Sequence, residues 1–395
     1  MRVRQDERPA DIRGPFVTLE DGVEDRRPVP INSGSPMTSP AAVLERRRAG
    51  RWLAAWAAMV FLIFPIGAAT RLTESGLSIT EWKPVSGVVP PLTDAQWQTE
   101  FAKYQQIPEY QQLNRGMTLG EFKRIFLWEF VHRFWARLVG LALLGGLVVF
   151  LARRQLEPHI RRRMGGLLLL TGLQGALGWY MVKSGLSVRT DVSQYRLAAH
   201  LSLALLVYVV GVWTAADLLR GEPEAAPGTS GLHRGAAALA GLIFLTAVAG
   251  AFVAGLDAGK AYNTFPMMGG RIVPNGYLQL TPWWRNLFEH VPTVQFNHRL
   301  LGVATVAMAL WMWWSARRAP VPGPAVRLAG MAGLVALLQA GLGITTLLLA
   351  VPVPLAVLHQ AGAVALLTLA ILLRHAVRPV LGRDVLRNPA LVTAP

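Results

Sequence analysis

The chain has 395 residues, of which 52% are hydrophobic and only 16% are charged, and its mean hydropathy is positive. This is more apolar surface than one soluble core of that size can bury, so a protein embedded in lipid is predicted. The chain contains no cysteine. That absence excludes disulfide bonds and every metal or cofactor site that depends on a thiolate.

Eight apolar stretches have the length of about 18 residues or more that a helix needs to cross a bilayer. Charged residues, glycine or proline separate them. They predict an all-α integral membrane protein with eight spans, at roughly 52–70, 128–151, 165–183, 197–219, 235–255, 297–316, 326–350 and 353–374. Residues 1–45 and 381–395 are predicted to be cytoplasmic tails, the first of them disordered because it is polar and rich in proline.

The formal net charge of +16 could indicate a nucleic-acid partner, but the arginines lie in short connections and beside the tails. Arg46 to Arg48 precede the first span, Arg161 to Arg163 lie in the second connection, and Arg317 and Arg318 lie in the sixth. By the positive-inside rule these segments and both termini face the cytoplasm. No basic helix with interleaved aromatic residues lies outside the spans, so the lipid bilayer rather than nucleic acid is the predicted partner.

Two long connections, 71–127 and 256–296, lie on the opposite, outer side, where functional loops are expected. In the first, Leu92 to Gln106 have the pattern of an amphipathic helix capped by Thr93 or Asp94. This helix could lie over the span ends as a lid, or the whole connection could be a solvated linker. The sequence leaves both alternatives open.

The chain contains an internal repeat. EFVHR at 129–133 matches QFNHR at 295–299, QGALG at 174–178 matches QAGLG at 339–343, and the segment from Gly67 resembles the one from Gly250. Spans one to four (46–220) and five to eight (221–380) are therefore predicted to be two parallel copies of one four-helix bundle. A pseudo-twofold axis along the membrane normal would relate them.

Four of the eight histidines are related by this repeat: His132, His200, His298 and His359. Each lies near the outer end of an even-numbered span. A single histidine in a membrane helix is usually a packing residue, but four at symmetric positions are costly unless they have a function. Two imidazoles per bundle suit axial ligation of a haem iron, and the sequence shows no carboxylate cluster for a di-iron centre.

The neighbours of two of these histidines suggest further roles. Arg133 and Arg299 follow them directly, where their guanidinium groups could bind haem propionates or simply reach the lipid headgroups. Glu129 lies one helical turn before His132, whereas its counterpart is Gln295. A carboxylate can act as a base and an amide cannot, so one catalytic half and one haem-holding half are predicted. Glu129 could also pair with Arg133, and the two roles could coexist.

A long series of ordered motifs resembles the haem A synthase family. GAATRLTESGLSITEWKPVSGVVPPLTDAQWQTEFAKYQQIPEY is followed by EFKRIFLWEFVHRFWARLVG, and later by VSQYRLAAHLSLAL, GLDAGKAYNTFPMMGG and FNHRLLGV. The resemblance runs from about residue 50 to 375. Because the chain has no cysteine, it is similar to the cysteine-free branch typical of alphaproteobacteria and mitochondria.

The resemblance implies oxidation of the C8 methyl group of haem O to a formyl group, which gives haem A for cytochrome oxidase. It places the family's glutamate on Glu129 and its haem ligands on the four histidines. The amino-terminal half would hold the substrate haem O, and the carboxy-terminal half a permanent haem b. A haem O synthase and cytochrome oxidase assembly factors are the implied partners. The implied location is a bacterial inner membrane with the haem sites near the periplasm, and homo-oligomer formation stays open.

Two other classes of protein remain as alternatives. A di-haem b-type electron-transfer cytochrome would also need four histidines, but its haems commonly lie at different depths, whereas these histidines all fall on the outer side. A transporter is suggested by the repeat, but the spans lack the interrupted helices expected around a site at the membrane midplane.

Overall fold

The computed structural model describes residues 40–83, 86–153, 156–188, 190–220 and 229–379. Within these ranges the chain is helical and has no strand, and eight helices have the length and apolar composition to cross a membrane. The predicted eight-span, all-α class is confirmed. Of the predicted tails, residues 1–39 and 381–395 lie outside the described residues, while residues 40–45 belong to the first helix. The helices are α1 Pro40–Leu72, α2 Asp94–Tyr104, α3 Pro108–Gln112, α4 Leu119–Ala152, α5 Pro158–Val188, α6 Gln194–Arg220, α7 Ser230–Gly255, α8 Asn286–Glu289, α9 Val291–Arg318, α10 Gly323–Leu348 and α11 Val353–Ala376.

Some helices extend beyond the apolar stretches that predicted them. Helix α4 begins at Leu119 rather than near 128, because Thr118 and Glu121 form a capping box in which each side chain accepts the other residue's backbone N–H. Thr93 and Gln96 begin α2 in the same way. The longer helices also include three histidines that lie outside the predicted spans: His159, His233 and His375.

In the amino-terminal half, α1 packs against both α4 and α6. The Trp56 indole N–H donates to the Val139 carbonyl oxygen of α4 at 3.0 Å, and its ring lies against Gly211 of α6. Trp135 of α4 donates in return to the Met59 carbonyl oxygen of α1 at 2.8 Å. A Cβ at position 211 would come within 2.7 Å of the Trp56 ring, so glycine is what allows α1 and α6 to approach.

The helices of the carboxy-terminal half form a closed ring of contacts. Helix α7 packs against α9, α9 against α10, α10 against α11, and α11 against α7. Helix α6 contacts α7 and α11, and the Tyr208 and Thr368 hydroxyl groups lie 2.8 Å apart across that contact. The ring is what a four-helix bundle requires. The arrangement of the whole chain as two bundles related by a pseudo-twofold axis stays a prediction.

The ends of α1 and α7 have the same backbone geometry at equivalent positions of the repeat. Two residues after Leu72 and Gly255, Glu74 and Asp257 adopt left-handed φ values of 52° and 50°. Residues other than glycine rarely adopt this conformation. Its recurrence at matched positions supports the repeat that the sequence indicates.

The first long connection is folded rather than extended. One face of α2 carries Trp97, Phe101 and Tyr104, which are buried against Phe122 and Phe126 at the start of α4. We refer to these five side chains as the outer aromatic cluster. The ring centroids of Phe101 and Phe122 are 5.0 Å apart, and those of Trp97 and Phe126 are 5.1 Å apart. The predicted amphipathic helix is confirmed, and the alternative of a solvated linker is wrong.

At the other end of the helices, Asp217 of α6 organises a cluster of charged groups. Its carboxylate accepts hydrogen bonds from His375 at 3.0 Å, from Arg378 at 2.6 Å and from Arg163 of α5. Arg46 of α1 donates to the Asp217 backbone carbonyl oxygen at 3.0 Å. The cluster therefore ties three helices of the first half to the end of α11. Loss of the anion would leave several cations uncompensated in a partly buried place.

The D217N exchange should lower the thermal unfolding midpoint of the purified protein in detergent. It removes the negative charge that holds Arg163 and Arg378. We expect a loss of about 2 kcal/mol in the free energy of unfolding, below the range for fully buried pairs because both arginines are partly exposed. D257N is the matched control, since the Asp257 side chain is 52% exposed. Equal midpoints for D217N and D257N would contradict the stabilising role of the Asp217 cluster.

Candidate active site

The four repeat-related histidines all lie near helix ends on the side of the two long connections. His200, His298 and His359 come within about two turns of the start of α6, α9 and α11. His132 lies further from the start of its helix because α4 extends into the outer aromatic cluster. Each imidazole is half-buried. Two histidines from each half are thus held at the same end of the molecule.

Each of these histidines faces a glycine on a neighbouring helix. A side-chain carbon placed on the glycine would lie between 2.7 and 3.5 Å from the Cε1 atom of the facing imidazole. Three of the four distances are shorter than an ordinary van der Waals contact. The glycines therefore provide the space that the imidazole rings occupy. The four pairs and their distances are Gly67 with His132 (3.5 Å), Gly178 with His200 (3.2 Å), Gly250 with His298 (3.1 Å) and Gly343 with His359 (2.7 Å).

These glycines follow the repeat as closely as the histidines do. Gly178 and Gly343 end the matched QGALG and QAGLG motifs, and Gly67 and Gly250 begin the other pair of matched segments. The sequence analysis used these motifs only to identify the repeat. It missed the position of the glycines opposite the histidines, although the aligned motifs contained the signal.

In the carboxy-terminal pair, the protein contacts the Nδ1 atom of both imidazoles. His298 Nδ1–H donates to the Thr246 carbonyl oxygen of α7 at 3.1 Å. Because a carbonyl only accepts, the proton is on Nδ1 and the Nε2 lone pair is free for a metal. At His359 the amide group of Gln339 lies 3.0 Å from Nδ1. Because an amide nitrogen only donates, ligation through Nε2 of His359 requires Gln339 to give up this arrangement, including the hydrogen bond that it donates to the His359 carbonyl oxygen.

The separation of these two rings suits a metal ion between them. The ring centroids of His298 and His359 are 6.4 Å apart and the ring planes are at 87°. With a metal–nitrogen bond of about 2.0 Å and a nitrogen about 1.1 Å from its ring centroid, two opposed imidazoles would have centroids about 6.2 Å apart. Among the described residues, no three His, Asp or Glu side chains gather as a metal site. Two protein ligands suit a haem iron, because the porphyrin supplies the remaining four.

The amino-terminal pair has similar neighbours but unpaired polar atoms. Gln174 donates to the backbone carbonyl oxygen of His200 at 3.0 Å, as its repeat counterpart Gln339 does to that of His359 at 2.6 Å. The Oε1 atom of Gln174 and the Nδ1 atom of His200 are both buried, and neither has a hydrogen-bonding partner in the described part of the chain. A small movement could join them and leave His200 Nε2 for an iron. His200 of this half is therefore also suited to ligate an iron.

Glu129 is buried, with 2% of its surface exposed, and is firmly held. Arg133 donates to its Oε1 at 2.6 Å, and the Ser78 hydroxyl and the Ile79 backbone N–H both donate to its Oε2 at 2.7 Å. Arg133 also donates to the carbonyl oxygens of Ile79 and Glu81. The pairing of Glu129 with Arg133, which the sequence left open, is confirmed. Together the two residues hold the first long connection against α4.

Gln295 and Arg299 hold the second long connection in a similar way, without a charge pair. Gln295 donates to the Tyr262 carbonyl oxygen at 3.2 Å, and Arg299 donates to those of Tyr262 and Thr264 at 2.8 Å. The Oε1 atom of Gln295 is buried and has no partner among the described residues. The two halves thus share a framework in which one position carries a carboxyl group in the first half and an amide in the second.

The two arginines predicted to bind propionates already contact protein groups. Arg133 binds a carboxylate and two carbonyl oxygens, and Arg299 binds two carbonyl oxygens. The Nε atom of Arg299 is buried without a partner in the described ranges, so it retains a donor. In the structure both arginines hold a long connection in place. Their binding of haem propionates stays a prediction.

Eight apolar helices with two repeat-related histidine pairs at one end define a polytopic membrane protein with two sites suited to haem. Residues 50–371 match the COX15-CtaA family, described as a cytochrome oxidase assembly protein. The chain is 49% identical over 321 residues to the heme A synthase of Parvibaculum lavamentivorans, which covers 81% of this chain and 91% of that protein. It is 50% identical over 349 residues to the heme A synthase of Rhodospirillum centenum, with 86% and 92% covered. A third heme A synthase, from Nitrosomonas eutropha, is 44% identical over 323 residues, with 81% and 91% covered.

The chain therefore belongs to the COX15-CtaA family. The resemblance seen in its motifs is confirmed, and the first two relatives come from alphaproteobacteria, as the cysteine-free branch implies.

The G343A exchange should displace the His359 imidazole, because the added Cβ would lie 2.7 Å from its Cε1 atom. We expect protein purified from a haem-producing host to lose most of the haem held by the carboxy-terminal half. Haem extraction and reduced-minus-oxidised absorption spectra measure this. G341A is the matched control on the same helix, since a Cβ at position 341 meets nothing within 4 Å. Full haem content in G343A would contradict the assignment of His359 as a ligand.

Proposed function

We propose that this chain oxidises the C8 methyl group of haem O to a formyl group and so makes haem A for cytochrome oxidase. The observation that carries the proposal is the duplicated set of glycine, glutamine and histidine at one end of the helices, because it offers two haem positions. The relatives named heme A synthase, at 49% and 50% identity, support the same reaction.

The two halves have different tasks in this proposal. His132 and His200 of the amino-terminal half hold the iron of the substrate haem O, whose farnesyl tail stays in lipid. His298 and His359 of the carboxy-terminal half hold a resident haem b. When bound, haem b supplies one-electron redox chemistry.

The hydrogen bonds around the histidines support this division. In the carboxy-terminal half the Nδ1–H of His298 has a hydrogen-bonding partner and its Nε2 is left for an iron, as suits a permanent site. In the amino-terminal half His200 Nδ1 and Gln174 Oε1 are unpaired among the described residues. A site that must admit substrate and release product needs surrounding polar groups that can form their hydrogen bonds when the substrate binds. Glu129 also lies in this half.

Glu129 acts at the methyl edge of the substrate. It lies on α4, one helical turn from His132. A carboxyl group there can take a proton as a C–H bond breaks, and it can stabilise positive charge that develops beside the porphyrin. Arg133, Ser78 and the Ile79 N–H hold it in one orientation. The amide of Gln295 cannot accept a proton in this way, so the second half retains its haem unchanged.

The proposal extends to the location and partners of the chain. Arg46, Arg163 and Arg378 gather around Asp217 at the end of the helices opposite the histidines. By the positive-inside rule this end faces the cytoplasm of a bacterial inner membrane, together with both termini, and the haem sites lie near the periplasm. Haem O is lipophilic, so a haem O synthase is the expected donor, and cytochrome oxidase assembly factors are the expected recipients.

A di-haem b-type electron-transfer cytochrome is the second candidate, because four histidines also suit a carrier. The common depth of the histidines argues against it, since a carrier gains from haems spread across the membrane. The buried carboxyl group of Glu129 also has no evident task in a carrier.

The E129Q variant should retain haem b and bound haem O but form oxidised haem at least about 100-fold more slowly, because the amide cannot act as a base. The measurement is chromatographic separation of the haems extracted from protein purified from a host that makes haem O. S78A is the matched control. It removes one hydrogen bond to the Glu129 carboxyl group but keeps the carboxyl itself, so most of the activity should remain.

Two outcomes would contradict the proposal in different ways. Equal loss of product in E129Q and S78A would mean that Glu129 acts by holding the first long connection. Wild-type protein that contains haem B alone, with reversible redox behaviour, would identify a carrier cytochrome instead.

A further inference from the structure

An arginine at the end of α1 joins the two halves on the side of the histidines. Arg71 lies in the last turn of α1. Its Nη2 atom donates to the Ala254 carbonyl oxygen, in the last turn of α7, at 2.8 Å and lies 3.3 Å from the Asp257 carboxylate. The guanidinium group therefore crosses from the amino-terminal half to the carboxy-terminal half.

Arg71 and Ala254 hold equivalent places relative to the histidines. Arg71 follows Gly67 by four residues, and Ala254 follows Gly250 by four residues. Residues four apart in a helix lie on the same face, one turn or about 6 Å further along. Gly67 and Gly250 are the residues of α1 and α7 that face the first histidine of each half. The contact between Arg71 and Ala254 thus lies one helical turn to the outer side of both histidine-facing glycines.

The internal repeat has an arginine at this position in the first half but not in the second. In the aligned segments Arg71 corresponds to Ala254, the residue whose carbonyl oxygen it binds. Helix α7 accordingly has no basic residue in its last turn. The carbonyl end of a helix carries partial negative charge, so the Arg71 cation compensates the ends of both α1 and α7. A second anion at this place would meet a positive charge rather than two exposed helix ends.

Arg71 retains hydrogen-bond donors beyond these contacts. Both contacts are made by the same Nη2 atom. The Nε atom is buried and has no hydrogen-bonding partner in the described part of the chain. A buried donor without an acceptor costs free energy, whereas a lysine would compensate the helix ends and pair with Asp257 without leaving such a donor. The choice of arginine is explained if an anion that is not part of the chain accepts the remaining hydrogen bonds.

We propose that Arg71 is a positioning residue that binds a propionate carboxylate of haem where the two halves meet. This inference rests on the proposed function, in which each half holds a haem. The guanidinium fork suits a carboxylate, because it can donate two parallel hydrogen bonds to the two oxygens. Charged groups are costly in lipid, so the propionates of a haem between these helices belong on the aqueous side, where Arg71 lies.

Arg71 differs from the two arginines that directly follow histidines. Arg133 and Arg299 each hold a long connection of their own half, and Arg133 already binds the Glu129 carboxylate. Arg71 contacts both halves, so a propionate bound to it is held at their junction. A cation beside a haem carboxylate also stabilises the reduced iron. Arg71 therefore raises the reduction potential of the haem that it binds.

The first test measures the reduction potential of haem b in purified wild type, R71Q, R71K and R285Q. Loss of the Arg71 cation should favour the ferric form about tenfold, which is a fall of about 59 mV for one electron. R71K keeps the positive charge, so most of the wild-type potential should remain. R285Q is the matched control. Arg285 lies in the second long connection and pairs with Glu289 at 2.6 Å, but 45% of its side chain is exposed.

The second test changes the carboxylate instead of the arginine. Haem O and its dimethyl ester, in which both propionates are esterified, are titrated into the protein that carries haem b, and binding is followed by absorption. Wild type and R285Q should bind haem O about tenfold more tightly than the ester, and R71Q should lose most of this preference. A residue that only joined α1 to α7 would weaken the binding of both ligands equally.

The two tests together identify the haem that Arg71 binds. A lower potential with an unchanged preference assigns the carboxylate to haem b, and the reverse result assigns it to haem O. Changes in both place Arg71 between the two haems. If R71Q does not fold, D257N takes its place. Removal of the anion that shares Arg71 should raise both the potential and the preference, because the guanidinium charge is then balanced by the propionate alone.

The outcomes also separate this proposal from the one it rests on. If R71Q keeps the wild-type potential and the wild-type preference, Arg71 binds no propionate and the proposed function is unaffected. D257N with both values unchanged would overturn the role of Arg71 in the same way. Wild type that carries haem b but neither binds nor oxidises haem O would overturn the proposed function, while the potential of haem b would still test Arg71.

Discussion

The structure depends on one constraint: four imidazole rings must fit between closely packed helices at the same end of the molecule. A helix in lipid has little reason to carry a histidine, and the ring needs room that an ordinary neighbouring side chain would take. The missing side chain of a glycine supplies that room for His200, His298 and His359, and Gly67 leaves ordinary contact distance at His132. The same glycines let the helices lie close together, so they affect both the helix packing and the space around the imidazole rings.

Polar groups next to these pairs then determine what each half can do. In lipid an unpaired polar atom is costly. The hydrogen bond of His298 Nδ1 and the unpaired Gln174 and His200 atoms are the contrast on which the proposed division into a permanent site and a substrate site rests. The same framework holds Glu129 in one half and Gln295 in the other. In the proposed function this exchange of a carboxyl group for an amide separates the chemistry of the two halves.

The two ends of the helices bury different sets of charged groups. At one end Asp217 balances several arginines and joins helices of both halves, which suits a fixed anchor. At the other end the connection between α1 and α4 buries aromatic rings and two carboxyl groups, Glu129 and Glu109, of which only the first has a cationic partner among the contacts described above. Rigid packing at both ends would hold the histidines in place.

The sequence by itself determined the class of the protein and most of its candidate site. Apolar stretches of spanning length are sufficient to predict eight helices, because lipid demands them, and a repeat is visible in the chain because both copies keep the same motifs. Those motifs contained the four histidines and the contrast between Glu129 and Gln295. Helix ends were less predictable, since capping residues such as Thr118 let a helix continue through polar sequence.

Only the tertiary structure decided which groups meet across helices. The contact of each histidine with a glycine, the grip of Ser78 and Ile79 on Glu129, and the place of Tyr104 beside Glu109 join residues from different segments. The pKa of Glu109 is raised by burial and by acids that approach it only in the folded chain, so its sequence neighbours do not indicate it. Burial and distance between segments are properties of the packed molecule, and so no local pattern could have revealed them.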